Sequence, residues 1–115
     1  MKILIVINEK PGTGERAYHA LRIAGQLLKE GHSVFVYLIA DGVFCAMANA
    51  PGPQGISNVS EKAAAFIRNG GVIKMCTSCG ESRGLMDKER INGTEWTDLK
   101  TLTGWITGCD RIINY

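Results

Sequence analysis

Two runs of branched aliphatic residues with a helical stripe between them constrain this chain more than any other feature. Residues 2–8 (KILIVIN) and 33–40 (SVFVYLIA) are apolar without strict alternation, the pattern of strands buried on both faces of a parallel sheet. Between them, Ala17, Ala20, Leu21, Ala24, Leu27 and Leu28 recur at the helical period and stop at Gly31. That predicts an amphipathic helix closed by a glycine cap. Together the segments make one β-α-β unit, right-handed by the usual rule.

The rhythm continues downstream. Residues 41–49 are moderately apolar, and 50–58 collect two of the three prolines with two glycines, a surface loop. Ser60 is placed to cap a helix through Asn69 with Glu61 in its first turn, and Gly70 and Gly71 stop it before a strand at 72–75. A further helix is expected from about residue 80 to residue 90. Asn92-Gly93 signals a turn, Asp98 caps a helix carrying Leu99, Leu102 and Ile106, and residues 111–114 (RIIN) close as a short strand. At 115 residues the chain is one domain, 1–115, able to bury roughly two-thirds of its unfolded surface without staples. The expected architecture is a three-layer α/β sandwich on a mostly parallel sheet, flavodoxin-like in kind.

Charge and cysteine usage exclude several functions. Thirteen Lys and Arg against eleven Asp and Glu leave +2, with no basic stripe interleaved with aromatics, so nucleic acid is not an expected partner. The opening MKILIVINEKPG is too short for a membrane span and has no A-x-A-like site, and it reads as a strand rather than a signal. The four cysteines, Cys45, Cys76, Cys79 and Cys109, then fit buried, metal-binding or reactive thiols in a reducing, cytoplasmic setting better than a disulfide framework.

Ligands of open parallel sheets bind beyond the carboxyl ends of the strands, here just after Asn8, Ala40 and Met75. The third place carries the sharpest signal, because Cys76-Thr77-Ser78-Cys79 follows the strand directly and opens a helix. A thiolate there gains from backbone N–H groups, with Arg83 and Lys74 near in sequence. Three other readings stand beside a nucleophile: small buried residues, half of a zinc site with no second ligand pair, and a dithiol that cycles to a disulfide. Against a thioredoxin-like dithiol, the motif follows the third strand rather than the first, with no proline flanking it. Gly12, Gly14 and Ala17 have the G-x-G-x-x-A spacing of a dinucleotide fingerprint, but the first glycine comes late and no substrate domain follows. That loop is expected to begin a helix, with room for a small anion at its N-terminus. Asp41-Gly42 is read either as a turn or as a carboxylate in the cleft. Cys45, Cys109, Phe44, Trp96 and Trp105 read as packing or contact residues. No cofactor or metal is expected.

With the pattern assembled, the sequence resembles the DsrE/DsrF-like sulfur-relay family, especially its small YchN-like branch, over essentially its whole length. The resemblance is carried by the opening strand and helix, by VFVYLIADGV, by SEKAAAFIRNGG, by CTSCGESRG and by the closing DRIINY. Its most specific part is Cys76 followed by Arg83-Gly84, which looks like the family's C-x6-R-G motif, and Cys79 matches a second cysteine of the YchN-like branch. The resemblance implies a flavodoxin-like sandwich, a homotrimer or homohexamer with cysteine loops near subunit contacts, and sulfur held on Cys76 as a persulfide. On that reading Cys76, Cys79 and Arg83 are the catalytic residues of a sulfur carrier or sulfurtransferase serving donor and acceptor proteins or small thiols. Arg83 either stabilises the anion or ties down the loop, by an ion pair to Glu81, Asp87 or another subunit. The alternatives are a dithiol redox protein using Cys76 and Cys79, or a non-catalytic module binding a small ligand at the glycine loop and Asp41.

Overall fold

The computed structural model describes residues 1–12, 14–53 and 58–115. Five strands, β1 (Lys2–Ile7), β2 (Ser33–Leu38), β3 (Val72–Cys76), β4 (Glu95–Thr97) and β5 (Arg111–Asn114), pair in the order β4-β3-β2-β1-β5. Every pairing is parallel. Four α-helices accompany them: α1 (Arg16–Lys29), α2 (Val59–Arg68), α3 (Thr77–Ser82) and α4 (Leu99–Gly108). A 3-10 helix, Ala40–Ala46, follows β2.

The aliphatic runs make the centre of the sheet because their residues bury on both faces. Ile3, Ile5, Ile7, Val34, Val36, Leu38, Ile73 and Met75 pack with α1, α2 and the 3-10 helix on one face. On the other face Leu4 and Tyr37 meet Leu102 of α4, with Phe35 and Trp105 beside them. The expected three-layer, flavodoxin-like sandwich is therefore formed, with unequal outer layers. Three helices pack over one face and α4 alone covers the other.

Several local expectations move. The α2 cap is Asn58, whose Oδ1 accepts from the Glu61 N–H (2.8 Å) and from Ser60 Oγ (2.7 Å), so the helix starts before Ser60. Residues 41–46, read only as apolar chain, form most of the 3-10 helix. The helix expected at about 80–90 instead runs Thr77–Ser82 and ends before Gly84, which has φ +68. β4 had no counterpart in the sequence reading. Asp98 does cap α4, accepting from the Thr101 N–H, and Gly93 takes φ +93 in the expected turn. Of the loop expected at 50–58, residues 54–57 lie outside the described residues, as does Thr13 in the glycine loop.

Candidate functional site

Strand order puts one crevice at a chemically useful place. The connection leaving β3 enters α3 on the face of α1 and α2, whereas the connection leaving β4 enters α4 on the opposite face. Adjacent strands whose chains depart to opposite faces open a cleft at their carboxyl ends. Cys76, the last residue of β3, pairs in register with Thr97, the last of β4, and packs against both core clusters. Thr77 Oγ1 donates to the Thr97 carbonyl (2.9 Å) and ties the two strand ends together.

Cys76 is itself the N-cap of α3, its Sγ accepting from the Cys79 N–H at 3.2 Å. Its Sγ also lies 3.3 Å from Ser78 Oγ. One helical turn brings Cys79 back to the cap, with Cα atoms 5.2 Å apart, and the two sulfurs are joined as a disulfide. That Cα separation is ordinary for a bridged pair. The seat of α3 depends on Gly80, because a methyl group there would overlap the Trp96 ring of β4. Trp96 thus fixes the height of the cysteine turn above the sheet.

The second cysteine has a neighbour of its own. The Ala40 N–H donates to Cys79 Sγ at 3.3 Å, and Ala40 sits at φ +52, a left-handed conformation that alanine adopts at a cost. Gly42, two residues on, presses on the end of β1, where an added methyl would overlap the Ile7 carbonyl oxygen. Arg83 closes the arrangement: its Nε donates to Asp41 Oδ1 (3.0 Å) and its Nη1 to the Cys79 carbonyl (3.2 Å) and Ser82 Oγ (3.2 Å). Within the chain the ion-pair partner is Asp41, where the sequence offered Glu81, Asp87 or another subunit. Cys76, Cys79 and Arg83 do come together, and Asp41 joins them across 42 residues of chain: the carboxylate that the sequence offered as one of two readings at Asp41-Gly42 does reach the cleft, while its pairing with Arg83 has no local sequence signal. Nor does sequence reveal the Ala40 amide, since nothing marks an alanine as left-handed.

The other sequence candidates lie elsewhere. At the start of α1, where the sequence leaves room for a small anion, the chain's own Glu9 carboxylate is seated: its Oε1 accepts from the Arg16 N–H at 3.1 Å. Gly12 (φ +93) turns against Pro51. Cys45 is buried and its thiol is pushed up to about 12, by burial first and Glu9 second. Cys109 is raised as well, chiefly by burial; Lys2 opposes the shift and Asp110 adds to it. Phe44, Trp96 and Trp105 pack against the two cores. His19 approaches Glu15 (3.4 Å), and His32 accepts or shares a proton with the N-terminal amine (3.0 Å). A groove lies between α1 and α2, lined by Arg22, Gln26, Lys62 and Phe66 among others, and none of the cysteines borders it. Among the described residues, no cluster of three or more His, Cys, Asp or Glu is placed to hold a metal ion, and no helix is long and apolar enough to cross a membrane.

The fold and this cysteine turn can be set beside known proteins. The model of the DsrE/DsrF-like family matches residues 1–115. The chain belongs to that family. An uncharacterised protein of Methanopyrus kandleri is 37% identical over 111 residues, 96% of this chain and 91% of that one. Another uncharacterised relative, from Methanocaldococcus jannaschii, is 32% identical over the full length of both. Protein YchN of Escherichia coli is 24% identical over 116 residues, covering 99% of this chain and 98% of its own. The YchN crystal structure superposes with a TM-score of 0.92 over 100% of this chain and 99% of that one. A protein of unknown function from Methanobacterium thermoautotrophicum shares the fold at a TM-score of 0.79 and 13% identity, over 99% and 98% of the two chains.

Proposed function

We propose that this protein is a sulfur carrier that holds sulfur as a persulfide on Cys76 and passes it to an acceptor thiol, as befits a family associated with sulfur relay. The observation that carries this reading is the position of Cys76: end of a central strand, mouth of the strand-end crevice, and cap of a helix whose Cys79 N–H already points at its sulfur. A hydrogen bond to sulfur favours the charged form over the thiol, and the thiolate is the nucleophile in thiol exchange. Cys76 thiolate attacks the outer sulfur of a donor persulfide, R–S–SH. The S–S bond of the donor breaks, R–S⁻ leaves, and Cys76–S–SH remains. An acceptor thiolate then repeats the attack on the outer sulfur and Cys76 is returned. Donor and acceptor are persulfide-bearing proteins or small thiols, and the working unit is a homotrimer or homohexamer in the cytoplasm.

A second reading has its own support. Because the Cys76 and Cys79 sulfurs are bonded, a dithiol redox protein that exchanges electrons and no sulfur fits the same turn. Intact mass after brief exposure to a small persulfide donor separates the two. The carrier gains one sulfur, the Cys76→Ser variant gains none, and Cys79→Ser keeps the gain. Loading that survives in Cys76→Ser overturns the assignment, and a Cys79→Ser variant that gains no sulfur favours the dithiol.

A further inference from the structure

The 3-10 helix contributes an unexplained constellation to the cysteine turn. Ala40 is one of two non-glycine residues with positive φ among the described residues, the other being Asn49. Its N–H is spent on Cys79 Sγ rather than on a carbonyl. An alanine left alone relaxes from φ +52 toward negative φ, because its Cβ crowds the following carbonyl in the left-handed region. Two contacts flank it: the Gly42 N–H donates to the Ile39 carbonyl across the turn (2.9 Å), and the next residue is the one that Arg83 grips, Asp41 Oδ1 lying 3.0 Å from Arg83 Nε while the same guanidinium is anchored to the carbonyl of Cys79. One side chain therefore joins Cys79 to the residue that follows the strained amide.

We propose that Asp41 is a positioning residue for Cys79: paired with Arg83, it holds the Ala40 N–H on the Cys79 sulfur and readies Cys79 as the thiolate that discharges the Cys76 persulfide. This rests on the carrier reading above and adds a second exit for the sulfur, its release as sulfide when no acceptor thiol takes it. Cys79–S⁻ attacks Cys76 Sγ, the bond from Cys76 Sγ to the outer sulfur breaks, and the outer sulfur leaves as HS⁻. Cys79 is oxidised and the outer sulfur reduced, which leaves the Cys76–Cys79 disulfide. A two-electron thiol reductant of the glutathione class then restores both thiols.

The Ala40 N–H donates more strongly to a thiolate than to a disulfide sulfur, so it favours the reduced pair. The thiol–disulfide equilibrium of the whole protein in glutathione buffers, read by mass on the peptide carrying both cysteines, tests the latch. Asp41 is more than half exposed, so Asp41→Asn leaves the core untouched. It is expected to shift the equilibrium toward disulfide by roughly three- to tenfold, the worth of one hydrogen bond. Adding Ala40→Gly to Asp41→Asn is expected to return the equilibrium toward the wild-type value, since glycine enters the left-handed conformation without the Cβ penalty that the latch offsets. A merely structural or long-range charge role for Asp41 predicts no such rescue. An unshifted Asp41→Asn, or a double variant that stays shifted, overturns the proposal. The carrier reading is judged separately by sulfur loading of Cys79→Ser, a protein in which this disulfide cannot form.

Discussion

At the scale of single residues, four cysteines in one small domain occupy three distinct environments. Cys76 and Cys79 share a turn at the strand-end crevice, Cys109 is half-buried beside α4, and Cys45 is sealed in the core, its Sγ donating weakly to the Glu9 carbonyl at 3.7 Å. Burial of a thiol disfavours its charged form, so Cys45 stays protonated when an unfolded cysteine, with its ordinary value of 9.0, has ionised. The folded value of about 12 is the higher one, so this contribution to stability is complete below pH 9 and is lost progressively between pH 9 and about 12. Compared with Cys45→Ala, the wild type is expected to lose up to about 1.4 kcal/mol more stability for each pH unit across that window. Urea midpoints of the two proteins at pH 8 and pH 10 check this, and equal pH dependences contradict it. The same burial is expected to make Cys45 slow to alkylate in the native state, in contrast to the partly buried pair Cys76 and Cys79 after reduction.

Elements show where sequence suffices and where it does not. Helix α1 and strands β1 and β2 are legible because each is specified by its own residues: a helical stripe, or an unbroken aliphatic run. The Asp98 cap is legible for the same reason. Strand β4 is three residues long, EWT, and exists because Trp96 lies against Gly80 of α3 and because its register joins Met75 and Cys76. The 3-10 helix is equally non-local, wedged against the end of β1 where only a glycine fits at residue 42. Within the site, Cys76, Cys79 and Arg83 are readable as a motif and Asp41 as a candidate carboxylate of the cleft, whereas the Asp41–Arg83 pairing and the Ala40 amide arrive by tertiary packing. At the start of α2 two plausible capping residues lie close together, and only geometry chooses between them. Asn58→Ala removes the side-chain oxygen that accepts from the Glu61 N–H and is expected to cost about 1 kcal/mol. Ser60→Ala deletes only a hydroxyl that donates to Asn58 and is expected to cost less than half of that. Chemical denaturation of both variants ranks them, and a larger loss in Ser60→Ala would return the cap to the place the sequence suggested.

For the molecule as a whole, the uneven layers carry a physical consequence. Three helices cover one face of the sheet, but α4 alone covers the other, with Leu102 as its only buried side chain. Leu99 is 65% exposed, Ile106 42%, and Ile112 of the edge strand β5 48%. Each such side chain gains roughly 1–3 kcal/mol when removed fully from water, and a cluster of them on the thinner side of a small domain favours association. Such association is in keeping with the homotrimer or homohexamer proposed above, whose subunit number these exposures leave open. Native mass spectrometry at low salt is expected to show one closed assembly of three or six chains. The Ile106→Glu variant should shift the population toward monomer, because covering a carboxylate with apolar surface costs several kcal/mol unless it is paired. Circular dichroism of that variant should stay unchanged, since Ile106 lies outside both buried clusters. A wild-type protein found only at its monomer mass would remove the assembly from the proposed function while leaving the cysteine chemistry intact, because every sulfur contact described above is made within one chain.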